Sequence, residues 1–326
     1  MNGPFAQADG SAASPTVIAI FGPTGVGKTA IALELADLLR RQGERPVAVS
    51  ADALQVYQGL DVLAAKPGPE ELARLEHRML SIVPIDRTFS VAEFSEHAHR
   101  EIDSILAGGG RPIVVGGTGL YLRAALTELE LKPPALPGLR EELERELEAV
   151  GSRALHGRLS PRTAEAVHPN DRKRIVRALE LERMGSRPYQ TSTQLWSDEL
   201  RRPAVLFGIL IDREPLERRI GERVARMLAS GAPAEVERAL ESGISSTAGK
   251  AIGVAELAAH LGGEATLEEA AARIERRSIQ YAKRQLTWMR KMHGAQLVDR
   301  TLMTDGEVAA HLLERLTDSL RPAATR

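Results

Sequence analysis

The chain has 326 residues, a formal net charge of −1 (43 Lys and Arg against 44 Asp and Glu) and no cysteine. That length suits one large or two modest domains with a sizeable core. The missing thiols exclude disulfides, thiolate metal sites and a cysteine nucleophile. Met1 to Ser14 are small and polar and read as a flexible leader, not a signal peptide. No apolar run reaches the ~18–20 residues that a membrane span needs. A cytoplasmic monomer without membrane contact is the expectation.

The first predicted strand is the apolar run Val17-Ile18-Ala19-Ile20-Phe21. It leads into Gly22-Pro23-Thr24-Gly25-Val26-Gly27-Lys28-Thr29, which has the spacing G-x-x-x-x-G-K-T, and a helical pattern starts at Ala30. Glycines at these positions let successive N–H groups converge on phosphate oxygens. Lys28 adds a point charge, and the Thr29 hydroxyl offers a ligand to Mg2+. The helix aims its positive end at the same anion. All eight residues, Gly22 to Thr29, are therefore candidate phosphate contacts.

Ile31, Leu35, Leu38 and Leu39 recur at helical spacing until Gly43. The strand Val47-Ala48-Val49 then delivers Ser50, Ala51 and Asp52 at its carboxyl end. A third apolar run lies near Leu80 to Val83, before a helix with Val91, Phe94, Ala98, Ile102 and Ile105 on one face. Gly108-Gly109-Gly110 stops that helix. Next come the run Pro112-Ile113-Val114-Val115, the turn Gly116-Gly117-Thr118-Gly119 and a helix from Leu120. Strands alternating with helices predict a parallel sheet with both faces covered. Ligands bind at the carboxyl ends of such strands, where Thr29, Asp52 and Thr118 all fall.

Pro133, Pro134 and Pro137 break the pattern. Leu139, Leu143, Leu147 and Val150 mark a charged helix, and Asn170-Asp171 can cap another that carries Arg172 to Arg183. The strand signal returns at Ala204 to Leu210, and from Pro215 the chain reads as helical. Its last long helix has Leu267, Ile274, Tyr281, Trp288 and Met292 on one side. The expected architecture is α/β, a P-loop NTPase-like parallel sheet with a helical insertion domain. The leader is 1–14, the core 15–129 and 201–318, the insertion 130–200 and the tail 319–326.

Near-neutral net charge argues against gross affinity for nucleic acid, but local clusters steer a polyanion. Lys173, Arg174 and Arg177 form one such cluster. Arg219, Arg223 and Arg226 share a helix face, from which one could reach a phosphate. Asp52 could hold magnesium through water, accept a proton from a nucleophile, or simply cap a turn. Thr118 could meet a ligand from the opposite side. His77, His156, His168 and His260 show no zinc spacing and are expected at the surface or in packing. Tyr281 and Trp288 sit among basic residues, as base-stacking groups do, and their seven-residue spacing also suits packing.

Several segments together resemble the tRNA dimethylallyltransferase (tRNA isopentenyltransferase) family in its bacterial form. They are Gly22–Thr29, Ser50–Tyr57, Ala65-Lys66-Pro67, Val115–Tyr121, Arg177-Ala178-Leu179-Glu180 and Tyr281–Trp288. The resemblance runs in order over nearly the whole chain. It implies transfer of a dimethylallyl group from dimethylallyl diphosphate to the N6 amine of adenosine 37, beside the anticodon of a tRNA. It makes Asp52 the base, Thr118 a contact at the reaction centre and Arg223 a diphosphate ligand. RNA contacts are implied for Asp52, Ala53, Leu54, Gln55, Thr118 and Arg140. They are implied also for Lys173, Arg174, Ile175, Val176 and Arg177, and for Lys250, Ala251, Ile252, Gly253, Val254 and Ala255. The insertion would clamp the anticodon stem-loop. Departures from the family pattern are Ala53 for serine, Val62-Leu63-Ala64 for Ile-Gly-Thr, and the absence of a tyrosine and a basic residue within Gly253 to Glu256.

Two other readings share some of these residues. A small-molecule or nucleoside kinase would use the same loop with Asp52 activating a hydroxyl, although the insertion is large for a kinase lid and the Gly116–Tyr121 turn has no kinase role. A nucleotide-dependent RNA-binding module would need no Asp52.

Overall fold

The computed structural model describes residues 16–133, 136, 138–186 and 199–320. The expected leader, Pro134, Pro137, positions 187–198 of the expected insertion and tail positions 321–326 lie outside the described residues. Six strands form one sheet: β1 (Val17–Phe21), β2 (Pro46–Ser50), β3 (His77–Arg78), β4 (Arg111–Gly116), β5 (Ala204–Leu210) and β6 (Gln296–Asp299). Their order is β3-β2-β4-β1-β5-β6, and every pairing is parallel. Phe21 stands opposite Gly116 on one side and Gly208 on the other, and Ser50 stands opposite Val115. The carboxyl ends of β2, β4 and β1 therefore lie side by side, which brings the segments beginning at Asp52, Gly117 and Gly22 to one edge.

Helices cover both faces, as parallel strands require. The first eight are α1 (Lys28–Arg41), α2 (Pro69–Arg74), α3 (Val91–Ala107), α4 (Gly119–Leu126), α5 (Leu139–Val150), α6 (Ser152–His156), α7 (Pro161–Ala166) and α8 (Arg172–Arg183). After β5 come α9 (Arg213–Ala229), α10 (Ala232–Glu241), α11 (Val254–Leu261), α12 (Leu267–Met289) and, after β6, α13 (Asp305–Leu320). Alternation along β1 divides the core. Ile18 and Ile20 pack with Ile31, Leu35 and Leu39 of α1 and Val308 and Leu312 of α13. Val17, Ala19 and Phe21 pack with Phe94 and Ile102 of α3, Leu122 of α4 and Ile274 of α12. Ser90 with Glu93 and Thr266 with Glu269 form capping boxes that start α3 and α12; such caps contribute about 1 kcal/mol each.

Helices α5 to α8 have their own small core, including Leu143, Leu147, Leu155, Ile175 and Leu179. The Asp171 side chain caps α8 by accepting the Arg174 N–H at 3.1 Å. Buried within this unit, the Glu180 carboxylate accepts from Arg140 at 2.5 and 2.9 Å and from Arg177 at 2.8 Å.

Several elements differ from the sequence expectation, among them the helix expected to carry Met292, which ends at Met289. The run Leu80 to Val83 is not a strand: Met79 and Ser81 have φ of 65° and 52°, which bends the backbone, and Val83 makes only an isolated bridge to Tyr57. The strand there is the two-residue β3. Strand β6 interrupts the expected helical region; it is a four-residue edge in which only Val298 is buried, too short to register as alternation. Ser319 and Leu320, expected in the tail, extend α13.

Candidate active site

The loop from Gly22 to Gly27 leaves the centre of the sheet, and Lys28 and Thr29 open α1. Gly27 is the helix N-cap, with φ of 93°. A Cβ there would stand 2.5 Å from Arg300 Nη1 and 3.1 Å from Arg219 Nη2, so both space and conformation demand glycine. The Lys28 ammonium donates to the Gly22 and Pro23 carbonyls, both at 3.0 Å. Burial lowers its pKa from 10.5 to about 8, the charge of Asp52 opposing the shift and that of Arg223 adding to it.

Arginines surround the loop. From α9, Arg219 Nε donates to Gly25 O at 3.0 Å and Arg223 Nη1 to Thr24 Oγ1 at 2.6 Å. From beyond β6, Arg300 Nη1 donates to Val26 O at 2.7 Å. Burial depresses the pKa of Arg223 and of Arg219; Arg300 adds to the effect on Arg219. A guanidinium stays protonated in proteins, so this concentration of desolvated positive charge suits a polyanion. Arg226, the third member of the expected row, is exposed and lines the outer cavity.

Asp52 follows β2 by two residues. Its Oδ1 accepts the N–H groups of Leu54 at 2.8 Å and Gln55 at 3.4 Å, which fixes the turn and leaves the other oxygen outside these bonds. Its charge acts on Lys28 and Arg223 and also on Tyr121 and Tyr281, whose phenols burial keeps protonated. Thr118, the N-cap position of α4, shares a 2.8 Å hydrogen bond with the Tyr281 hydroxyl. Gln285 joins the two loops: its Oε1 accepts the Thr24 N–H at 2.8 Å and its Nε2 donates to Gly117 O at 2.7 Å. Trp288 packs on Gly119, where a Cβ would fall 2.5 Å from the indole. Tyr281 and Trp288 thus serve packing and positioning within the fold.

Two cavities meet here. The larger, about 1320 Å³, is lined by Gly25, Gly27, Lys28, Thr29, Arg219 and Arg300 among others. The smaller, about 70 Å³, is lined by Leu54, Leu63, Ile220, Val224, Ile252 and Ile274. Thr24, Asp52 and Arg223 line both. A chamber lined by Lys28, Arg219, Arg223 and Arg300 therefore opens beside a smaller one that has several aliphatic side chains, with Asp52 at the boundary. Thr118 is not among the residues lining either cavity.

The other expected contacts lie apart from this centre. Lys173 and Arg174 are exposed on α8, whereas Ile175 and Val176 point into its core. Arg140 and Arg177 hold Glu180, and Arg177 also donates to the carbonyls of Lys132 and Pro133. Lys250 and Ala255 are exposed, Ala251, Gly253 and Val254 are buried, and Ile252 turns to the small cavity. Ala53, Leu54 and Gln55 are half-buried, and Gln55 Oε1 accepts from the Ser50 hydroxyl at 2.7 Å.

For Mg2+, the fitting residue is Thr29, which lines the larger cavity at the start of α1. No group of three or more His, Cys, Asp or Glu suited to a metal occurs among the described residues. Thr29 would hold the ion there, where it would shield the negative charge of a bound diphosphate.

Residues 55–292 match the model of the IPP transferase family. The tRNA dimethylallyltransferase of Geobacter metallireducens is 43% identical over 282 residues, 84% of this chain and 89% of that protein. The chain belongs to the IPP transferase family. Among solved structures, the full-length tRNA isopentenylpyrophosphate transferase of Bacillus halodurans superposes with a TM-score of 0.66 at 34% identity, over 93% of this chain and 97% of that one. A eukaryotic dimethylallyltransferase captured acting on tRNA superposes with a TM-score of 0.74 at 25% identity, over 96% and 82% of the two chains. The parallel P-loop-like core expected from sequence is the architecture of this family. No helix among the described residues is long and apolar enough to cross a membrane.

Sequence reasoning left Gln285 and Arg300 without roles. Gln285 lay inside a segment quoted for the resemblance, and its value depends on a contact between distant loops. Arg300 follows the short edge strand that periodicity missed.

Proposed function

We infer that the chain transfers a dimethylallyl group from dimethylallyl diphosphate to the N6 amine of adenosine 37 in tRNA, releasing pyrophosphate. The observation that carries this reading is the junction of the two cavities at Thr24, Asp52 and Arg223. A diphosphate among Lys28 and the arginines of the larger cavity, with its five-carbon chain against Leu54, Leu63, Ile252 and Ile274 of the smaller, puts the allylic carbon–oxygen bond at that boundary. Membership of the family, and relatives named for this transfer, supports the same reading.

The chemistry follows from what each group does to charge. An adenine amine is a weak nucleophile because its lone pair is delocalised into the ring, so the leaving group must be stabilised. As the carbon–oxygen bond breaks, negative charge grows on the diphosphate, and positive charge is shared over the allyl group. The loop N–H groups, Lys28, Arg223 and Arg219 meet the former, already aimed and partly dry. Mg2+, bound at Thr29, would neutralise further charge on the diphosphate. N6 attacks the carbon, and Asp52 takes the amine proton as the new bond forms, a role typically contributing ~10²–10⁴-fold. Thr118 acts through Tyr281, placing the turn that follows β4 against the incoming base.

Adenosine 37 must leave its stack to reach this centre, at roughly a few kcal/mol, and least in a single-stranded loop. The anticodon stem-loop is held by Lys173 and Arg174, with Arg140, Arg177 and Lys250 at the margins. The protein acts in the cytoplasm as a monomer.

Incubation with magnesium, unmodified tRNA and either ATP or dimethylallyl diphosphate tests the reading. The expected product is prenylated tRNA. A phosphorylated product would establish a kinase, and bound but unaltered tRNA a binding module.

A further inference from the structure

We propose that Arg300, held by Asp305, is a positioning residue that sets the phosphate loop for its anion, an inference resting on the reading of that loop as a diphosphate site. Strand β6 runs parallel to β5, and the Arg300 N–H continues the ladder to Leu210 O at 3.0 Å. This pairing delivers Arg300 to the carboxyl edge of the sheet, against the loop. Its side chain is 4% exposed. Nη1 donates to Val26 O and to Asp305 Oδ1, both at 2.7 Å, and Nη2 to Met303 O at 3.3 Å.

The bond to Val26 O has a directional consequence. In a planar trans peptide, C=O and N–H point in opposite directions. Drawing the Val26 carbonyl toward Arg300 turns the Gly27 N–H the other way. That N–H has no protein acceptor among the described residues, and it lies at the mouth of α1, where an anion binds. Arg219 fixes the preceding peptide through Gly25 O, and the Val26 N–H of that peptide donates to Pro23 O at 3.3 Å, so the loop is held on both sides of the Gly27 N–H. The fit is close: Gly27 has no room for a Cβ between the two guanidiniums.

Asp305 defines the role further. A buried guanidinium with no counter-charge is costly to keep in the core and would not hold its place against the loop. Paired with Asp305, the first residue of α13, Arg300 is neutralised on one side and acts on the loop by hydrogen bonding. The segment after β6 is thereby part of the machinery and not only a cover for α1.

Isothermal titration of the full chain with inorganic pyrophosphate and Mg2+ tests this, alongside steady-state kinetics with dimethylallyl diphosphate and tRNA. Arg300→Met is expected to raise the pyrophosphate Kd and the KM for dimethylallyl diphosphate by about ten- to a hundredfold, the range of a lost hydrogen bond to a charged group. The KM for tRNA should not move. Arg300→Lys should recover part of the loss, since an ammonium can hold Val26 O but lacks the fork that also reaches Asp305 and Met303. Asp305→Asn, a milder change that carries the test should Arg300→Met not fold, is expected to weaken pyrophosphate binding about threefold or more on the same scale. A mere staple for α13 would lower the thermal midpoint of these variants and leave both constants at wild-type values, which overturns the proposal. Failure of the wild type to bind pyrophosphate would instead overturn the reading of the loop, and the proposal with it.

Discussion

Thr24 and Gln285 stand 261 positions apart in the chain, yet the Thr24 N–H donates to Gln285 Oε1 at 2.8 Å. The same side chain donates to Gly117 O at 2.7 Å, so one amide ties the phosphate loop to the turn bearing Thr118. The amide supplies both the acceptor and the donor that these two main-chain groups need. Gln285→Ala leaves both main-chain groups unpaired and is expected to cost about 1–3 kcal/mol, read by chemical denaturation. Gln285→Glu keeps the acceptor, loses the donor and adds negative charge beside the anion site. It should raise the KM for dimethylallyl diphosphate more than the alanine variant does. Equal KM values would remove charge from the explanation.

Lys28 supplies the pH dependence. Its folded pKa of about 8 lies below the ordinary 10.5, so between these values the unfolded chain binds more protons than the folded one. Stability therefore rises with pH across that window relative to Lys28→Met, which lacks the titration. Ligand affinity runs the other way, because the free enzyme loses this positive charge above pH of about 8. The value of kcat/KM for dimethylallyl diphosphate should fall on that limb, and Lys28→Arg should flatten it. A limb unchanged by Lys28→Arg would assign the titration to another group.

Much of this arrangement is legible in sequence because it is local. The phosphate loop is a contiguous spacing, and the helices over Leu139–Val150 and Arg172–Arg183 and the strand Ala204–Leu210 follow from periodicity and caps. Asp52 is visible at the carboxyl end of a buried strand. What escaped depends on chain segments meeting from far apart. Strand β6 is an edge with one buried residue, so its place is set by pairing with β5 and not by its own pattern. Arg300 inherits that invisibility. Within α8, spacing shows a cationic cluster but not that Glu180 lies among it with Arg140 and Arg177 as partners.

That buried carboxylate has a testable weight. Glu180 is fully buried, whereas the Arg140 and Arg177 side chains are 38% and 21% exposed. Glu180→Gln leaves two guanidiniums facing a neutral amide. Breaking a buried pair costs about 3–5 kcal/mol, and the exposure of Arg140 puts the expected loss at the lower end. Arg177 also grips the carbonyls of Lys132 and Pro133 where the chain approaches α5, so the damage should concentrate in α5–α8. Hydrogen exchange should show faster exchange there, tRNA Kd should rise, and the pyrophosphate Kd should stay constant. Uniform destabilisation of the whole chain would contradict the local role.

Asp52→Asn separates chemistry from shape. The amide keeps an oxygen that can accept the Leu54 and Gln55 N–H bonds, so the turn survives. It has no basicity to take the N6 proton. Turnover should drop by ~10²–10⁴-fold while tRNA Kd changes little, measured by single-turnover prenylation and filter binding. Wild-type turnover would remove Asp52 as the base.

Salt dependence tests where RNA docks. Each phosphate neutralised by a protein cation releases counterions, so the logarithm of affinity falls linearly with the logarithm of salt, by about 0.7–0.9 per contact. Lys173 and Arg174 are exposed on α8, and Arg174 makes only a long 3.5 Å pair with Asp171, leaving both cations available to phosphate. Replacing both with alanine should lower the magnitude of the slope by about 1.4–1.8 without altering the pyrophosphate Kd. Arg140 and Arg177 are already committed to Glu180, so single substitutions there should change the slope less than they change the stability of α5–α8. An unaltered slope in the Lys173/Arg174 double variant would place the phosphate contacts on another face of the protein.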